Sequence, residues 1–184
     1  MESFKFHIID DNPIFLDKAV TYLNSHKAVK SIGWSLSLND FKEKNLNNEF
    51  DFVIASHVLE HVEDFKFFIK ELERVSNKGY IELPTKLEDN LVFENKKDHL
   101  WHMDFNDVES KLIISNKLQF IEPILTVSAA HKLRKNFKSS FIIELYWENK
   151  IDYDYKNDEE SYEKFSLLTL LRKFFSKKIR SIFS

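Results

Sequence analysis

His57, Glu60 and His61 share one short window, His57-Val58-Leu59-Glu60-His61, and are the residues best suited by type and spacing to do chemistry. On a helix, H-x-x-E-H sets both imidazoles one turn apart on one face, where they can ligate a zinc ion that activates water. Such a site needs a long helix and a third ligand downstream. Here the window directly follows FDFVIA, an apolar run with the character of a buried strand, so no metal site is expected. The competing reading is structural: Val58, Leu59 and Val62 pack inward, and the histidines cap or contact backbone. A second group, Asp98-His99-Leu100-Trp101-His102-Met103-Asp104, mixes rings, imidazoles and carboxylates. Rings that stack on a sugar's apolar face and carboxylates that accept from its hydroxyls suit a loop on a rigid scaffold. His99, Trp101, His102 and Asp104 are therefore candidate substrate contacts. The alternative is a loop that folds its aromatics into the core.

Composition narrows the chemistry further. The 184 residues are the size of one domain and can bury roughly 70% of the unfolded surface. The absence of cysteine excludes disulfides, thiolate metal sites, Fe–S clusters and cysteine nucleophiles. A net charge of −3 predicts no general affinity for nucleic acid. With only Gly33 and Gly79, the chain holds no phosphate-cradling loop of the Walker or GxGxxG type. No apolar run approaches the roughly 18–20 residues that span a bilayer, and MESFKFHIIDDNP lacks the layout of a signal peptide. A cytoplasmic location is expected.

The elements that must position these residues follow from periodicity. Residues 4–11 (FKFHIIDD) read as a strand stopped by Asn12-Pro13. Residues 14–30 fit either one helical face or a second strand, and 31–39 suggest another strand. Lys42 to Glu49 is polar and loop-like. Residues 50–55 form a buried strand, and Ser56 opens a helical stretch. A helix over about 64–75 carries Phe65, Phe68, Ile69 and Leu72 at helical spacing, and Tyr80 to Leu83 is the next strand, stopped by Pro84. That is a strand–helix–strand unit of a parallel sheet. The segment from Pro84 through KKDHLWHMDFND reads as irregular, with strands returning at 111–115, 119–127 and 140–147.

The run FDFVIASHVLEHVEDFKFFIKELERVSNKGYIELP resembles the second half of a class I S-adenosylmethionine-dependent methyltransferase of the type 11 group. The residues that carry the likeness are Phe50-Asp51, Ser56, Val58 to Val62, Asp64, Glu71-Leu72, Arg74-Val75 and Gly79-Tyr80. GYIELPTKLED…DHLWH is similar to a subgroup associated with surface-glycan synthesis. The resemblance implies an α/β, Rossmann-like methyltransferase fold: a mostly parallel sheet with helices on both faces and ligands at its carboxyl edge. It also implies S-adenosylmethionine as cofactor, with Ser56 to His61 where the methyl group is transferred. His57 or His61 would take the acceptor's proton, and Glu60 would fix the imidazole tautomer.

Family members hold the cofactor with a glycine-rich turn after the first strand and an acid after the second, and this chain has no such turn. In one register residues 4–11 are the second strand, Asp10 or Asp11 is the ribose acid, and the sheet is incomplete at its N-terminus, lacking the central strand. In the preferred register residues 4–9 are the first strand and Asp10-Asp11-Asn12-Pro13 replaces the turn, its carboxylates attracting a sulfonium.

The chain thus divides into a methyltransferase-like domain over 1–150 and a segment 151–184, acidic and then basic. In 164–184, Leu168, Leu171, Phe175, Ile179 and Ile182 share one helical face, with Arg172, Lys173, Lys177, Lys178 and Arg180 supplying positive charge, which reads as a peripheral-membrane or partner-binding helix, or one docked on its own domain. The leading function is O-methylation of a sugar or small polar metabolite in surface-glycan (polysaccharide) synthesis. The alternative is a non-catalytic domain that binds a partner or glycan, and a partner chain or homo-oligomer would complete the truncated register.

Overall fold

The computed structural model describes residues 4–10, 12–36 and 50–157. The first half contains β1 (Phe4–Ile9), α1 (Pro13–Asn24), β2 (Val29–Ser35), β3 (Phe52–Ser56), a single 3-10 turn (Leu59–His61), α2 (Phe65–Val75) and β4 (Lys78–Pro84). Two short helices follow, α3 (Lys86–Leu91) and α4 (Asn95–Asp98), then β5 (Trp101–Asn106) and β6 (Lys111–Asn116). The remaining elements are α5 (Val127–Phe141), β7 (Ile142–Glu148) and β8 (Tyr153–Lys156).

The main sheet has the order β2-β1-β3-β4-β7, parallel throughout except for β7, which runs antiparallel on β4. This is the expected α/β, Rossmann-like architecture with a mostly parallel sheet. His7 pairs with Gly33 on one side and Val53 on the other, so β1 lies inside the sheet and no gap separates it from β3. The register that left the centre of the sheet unfilled does not hold. Asn12 explains why the strand gives way at once to a helix: its Oδ1 accepts from the amides of Ile14 at 3.0 Å and Phe15 at 3.2 Å, with Pro13 in the first turn. Residues 14–30 therefore resolve as helix and then strand.

The 50–84 region follows its periodicity closely. Asp64 caps α2 by accepting from the Phe67 amide at 2.8 Å, and Phe65, Phe68, Ile69, Leu72 and Val75 bury one face. These side chains join Val53, Ala55, Ile81, Leu83 and Leu145 of the main sheet and Met103, Leu112 and Ile114 of a smaller one in a single core. The smaller sheet, β5-β6-β8, corrects the reading of residues around Trp101–Asp104 as a loop: they form β5, antiparallel to β6. β8 lies beyond residue 150 yet pairs in parallel with β6. Two further expectations fail. The stretch after Ser56 makes only a 3-10 turn rather than a helix, and 119–127 forms no strand beyond a bridge from Leu125 to Val92. The 42–49 loop, Asp11 and the basic segment 164–184 lie outside the described residues. Among the described residues no helix is long and apolar enough to cross a membrane.

Both glycines serve close packing within strands, and neither makes a turn. A Cβ on Gly33 would collide with the His7 ring. One on Gly79 would lie 2.6 Å from Trp147 Nε1 and 2.7 Å from the Val53 carbonyl oxygen. That oxygen belongs to the β3 backbone beside β4 and cannot retreat without disturbing their pairing. Gly79→Ala is expected to destabilise the fold by about 2 kcal/mol, the usual scale of overpacking. A urea midpoint equal to that of the wild type would contradict this.

Candidate active site

The strand order reverses between β1 and β3: β1 leads to β2 on one side, and the chain returns as β3 on the other. Loops leaving the carboxyl ends of such a pair diverge, and a crevice opens at the edge of the sheet. Here it is a cleft of about 420 Å³. Asp10 and Asn12 reach it from the β1–α1 turn, Ser56 and His57 from the end of β3, and Glu82 from β4. His61, Asn95, His99, His131 and Arg134 close it from later segments.

The turn after β1 replaces glycines with side-chain hydrogen bonds. Asp10 Oδ1 accepts from the Asn12 amide at 2.7 Å while Asn12 caps α1. These backbone donors are therefore engaged within the turn and not turned toward a ligand. β2 ends in Ser35, buried and 3.0 Å from His7 Nε2. The residues nonetheless suit the charge of a sulfonium-bearing cofactor, because the carboxylates of Asp10 and Glu82 both border the cleft.

His57 is the most constrained residue of the edge. Its φ is 50°, a left-handed conformation that costs a residue with a Cβ on the order of 1 kcal/mol. Its amide donates to the Glu82 carbonyl at 3.0 Å, and its ring lies between two acids. Nδ1 is 3.2 Å from Glu60 Oε1, and Nε2 is 3.5 Å from Glu82 Oε1. Burial disfavours the imidazolium, but hydrogen bonds to Glu60 and Glu82 outweigh it and push the pKa from 6.5 up to about 10. At neutral pH His57 is a cationic donor, not a proton acceptor. Glu60 in turn is held below the ordinary carboxylate range: burial opposes ionisation and the bond from His57 overrides it. Glu82 is lowered chiefly by the His57 bond. The Tyr80 hydroxyl, 2.8 Å from Glu82 Oε2 and 2.9 Å from Glu144 Oε1, extends the chain of contacts and is itself pushed far up by burial and both acids.

His61 differs. Its Nδ1 lies 2.9 Å from the Asp98 carbonyl, which can only accept, so Nδ1 carries a proton. Its ring meets that of His99 edge-on at 4.6 Å, and His99 Nδ1 lies 2.5 Å from the buried Asp89. Burial holds the Asp89 carboxyl above its ordinary value against the opposing pull of His99. Arg134 of α5 pairs with the buried Glu88 of α3 through both carboxylate oxygens, which ties the later helix to the cleft wall.

Of the residues singled out by sequence, Asp10, Asn12, Ser56, His57, His61 and His99 meet in this one cleft, with Glu60 bonded beneath His57. Asp11 lies outside the described residues, and Trp101, His102 and Asp104 do not reach the cleft. Trp101 donates from Nε1 to the Val62 carbonyl at 2.8 Å and packs on Phe65. His102 is buried beside the Asn90 amide, and Asp104 borders a different cavity with Thr85 and Lys138. Glu82, Asp89, His131 and Arg134 went unread. Only Glu82 left a trace, as a charge between Ile81 and Leu83 near the end of a strand.

A folded-state pKa above the unfolded value makes the His57 contribution to stability complete below pH 6.5 and lost as pH rises through about 10. The urea midpoint is expected to decline over that interval and to decline less in His57→Gln. Ring resonances from His57 should report an imidazolium at pH 8, and a neutral ring there would contradict the geometry.

Comparison with known proteins adds three findings. No curated protein matches the sequence. Among solved structures, the fold is similar to a chain from the complex between the Haloferax volcanii Trm112 methyltransferase activator and a candidate methyltransferase. That similarity has a TM-score of 0.44 at 9% identity, over 81% of this chain and 84% of that one. Residues 5–81, which run from β1 into β4 and carry the β1–α1 turn and the His57–His61 window, match the family model of a methyltransferase domain, a family that generally uses S-adenosylmethionine.

Proposed function

We propose that the chain is an S-adenosylmethionine-dependent methyltransferase acting on a hydroxyl of a small polar acceptor, a sugar of surface-glycan synthesis being the favoured class. One observation carries this reading. Asp10, Asn12 and Ser56 share a single cleft with His57, His61 and His99 at the carboxyl edge of a parallel sheet. The cofactor, when bound, supplies an electrophilic methyl group on a sulfonium. Asp10 and Ser56 would hold it, with the Asp10 carboxylate answering its positive charge. His61 takes the acceptor proton at Nε2, since its tautomer is set by the Asp98 carbonyl. His57, kept cationic by two acids, donates to acceptor oxygens and orients them. His131 and Asn95 offer further polar contacts.

The second reading, a non-catalytic domain that binds a partner or glycan, is favoured by the β1–α1 turn, whose donors are spent on Asp10 and Asn12. Calorimetric titration of S-adenosylmethionine and its demethylated product into the full chain separates the two. Micromolar binding, about 8 kcal/mol, is expected. In an acceptor screen, His61→Ala should then slow methyl transfer about 10²–10⁴-fold with cofactor affinity unchanged. No binding at millimolar ligand by folded protein would discard the enzyme in favour of the second reading.

A further inference from the structure

Glu60 and His61 are neighbours in the 3-10 turn and His99 comes from a distant stretch of chain, yet one donor atom of each lies within 4.8 Å of the other two. Their surroundings are those of metal ligands. An imidazole that binds a metal through one nitrogen is usually held at the other by a carboxylate or a backbone carbonyl. Both patterns occur here: His61 Nδ1 donates to the Asp98 carbonyl, and His99 Nδ1 rests on Asp89, which the Asn95 side-chain amide contacts at 3.2 Å. A second observation is independent of the rings. Glu60 is fully buried, its Oε1 meets His57, and its Oε2 has no hydrogen-bond partner among the described residues. A buried carboxylate oxygen left without a donor is rare in folded proteins. A cation beside the two imidazoles would satisfy it.

We infer that Glu60, His61 and His99 form a binding site for one divalent first-row transition ion of the zinc class. Two imidazoles and one carboxylate favour such ions over magnesium or calcium, which prefer oxygen alone. A tetrahedral zinc ion with bonds near 2.0 Å sets its ligands about 3.3 Å apart. Rotations that move the donor atoms by about 1 Å therefore close the trio on the ion. Three protein ligands leave a fourth position open on the cleft that His61 and His99 line. The site is distinct from the H-x-x-E-H pairing considered from sequence, because His57 is turned to Glu60 and Glu82 and His61 pairs instead with His99. In the methyl-transfer reading the ion would hold an acceptor hydroxyl and lower its pKa, taking over the task of His61 as base. That consequence rests on the proposed function; the binding does not.

The test is titration of the chelator-stripped full chain with Zn²⁺ by calorimetry and with Co²⁺ by visible absorption. One equivalent is expected, with cobalt bands of a four-coordinate nitrogen–oxygen site. His61→Ala and His99→Ala should each weaken Zn²⁺ binding at least about 100-fold, and Asp89→Asn, a positioning change, about 10–100-fold. His26→Ala, at the far end of α1, should leave affinity unchanged. Circular dichroism establishes that each variant folds, and His61→Ala, the less buried of the two, decides the matter if His99→Ala does not. No binding at millimolar Zn²⁺ by folded wild type, or affinity unaltered in His61→Ala, overturns the site. S-adenosylmethionine titrated into the same stripped protein keeps the two proposals apart. Zinc bound without cofactor leaves this site standing and removes the enzyme, and cofactor bound without zinc does the reverse.

Discussion

β1 is paired in parallel on both sides, and the positions of the other parts follow from that constraint. Parallel neighbours need crossovers, so β1, β3 and β4 all deliver their carboxyl ends to one edge. The reversal of order between β1 and β3 then opens a crevice there without any loop having to be long. Close packing of these strands uses up the glycines. Gly33 makes room for His7 and Gly79 for Trp147, so the turn after β1 is built instead from the side chains of Asp10 and Asn12.

The same edge collects the buried charge of the described residues. Glu60, Glu88 and Asp89 are all buried, which is tolerable only with partners. Each finds an imidazole or guanidinium: the local His57 for Glu60, and the more distant Arg134 for Glu88 and His99 for Asp89. Two of these pairs draw later segments, one from between α4 and β5 and one from α5, onto the mouth of the cleft. The apolar side of the sheet contributes stability through α2, and the polar edge contributes a preorganised set of donors and acceptors. His57 and His61 show how far environment separates two like residues. The ring of one lies between two acids, while that of the other donates from Nδ1 to a backbone carbonyl.

Much of the fold was legible. FDFVIA, the spacing of Phe65, Phe68, Ile69 and Leu72, and the Gly79–Pro84 run are strongly periodic because each buries a full face against the core. The misreadings have physical causes. Trp101–Asn106 buries two successive residues, His102 and Met103, so it lacks the alternation that marks a strand. α5 buries only Ala130 and Phe141, too few for a helical stripe. After Ser56, the positive φ of His57 prevents a regular helix from starting, and no local letter announces it.

From the sequence alone come the α/β class, the strand–helix–strand unit, the absence of a glycine cradle and the grouping of His57, Glu60 and His61 in one window, since all four depend on neighbours close in the chain. The tertiary structure decided the register, with β1 inside the sheet between β2 and β3, that His57 reaches Glu82, and that His61 meets His99 while Trp101, His102 and Asp104 go elsewhere. Those outcomes depend on contacts between residues far apart in sequence. Burial, by fixing which acids face which imidazoles, sets the protonation of the site.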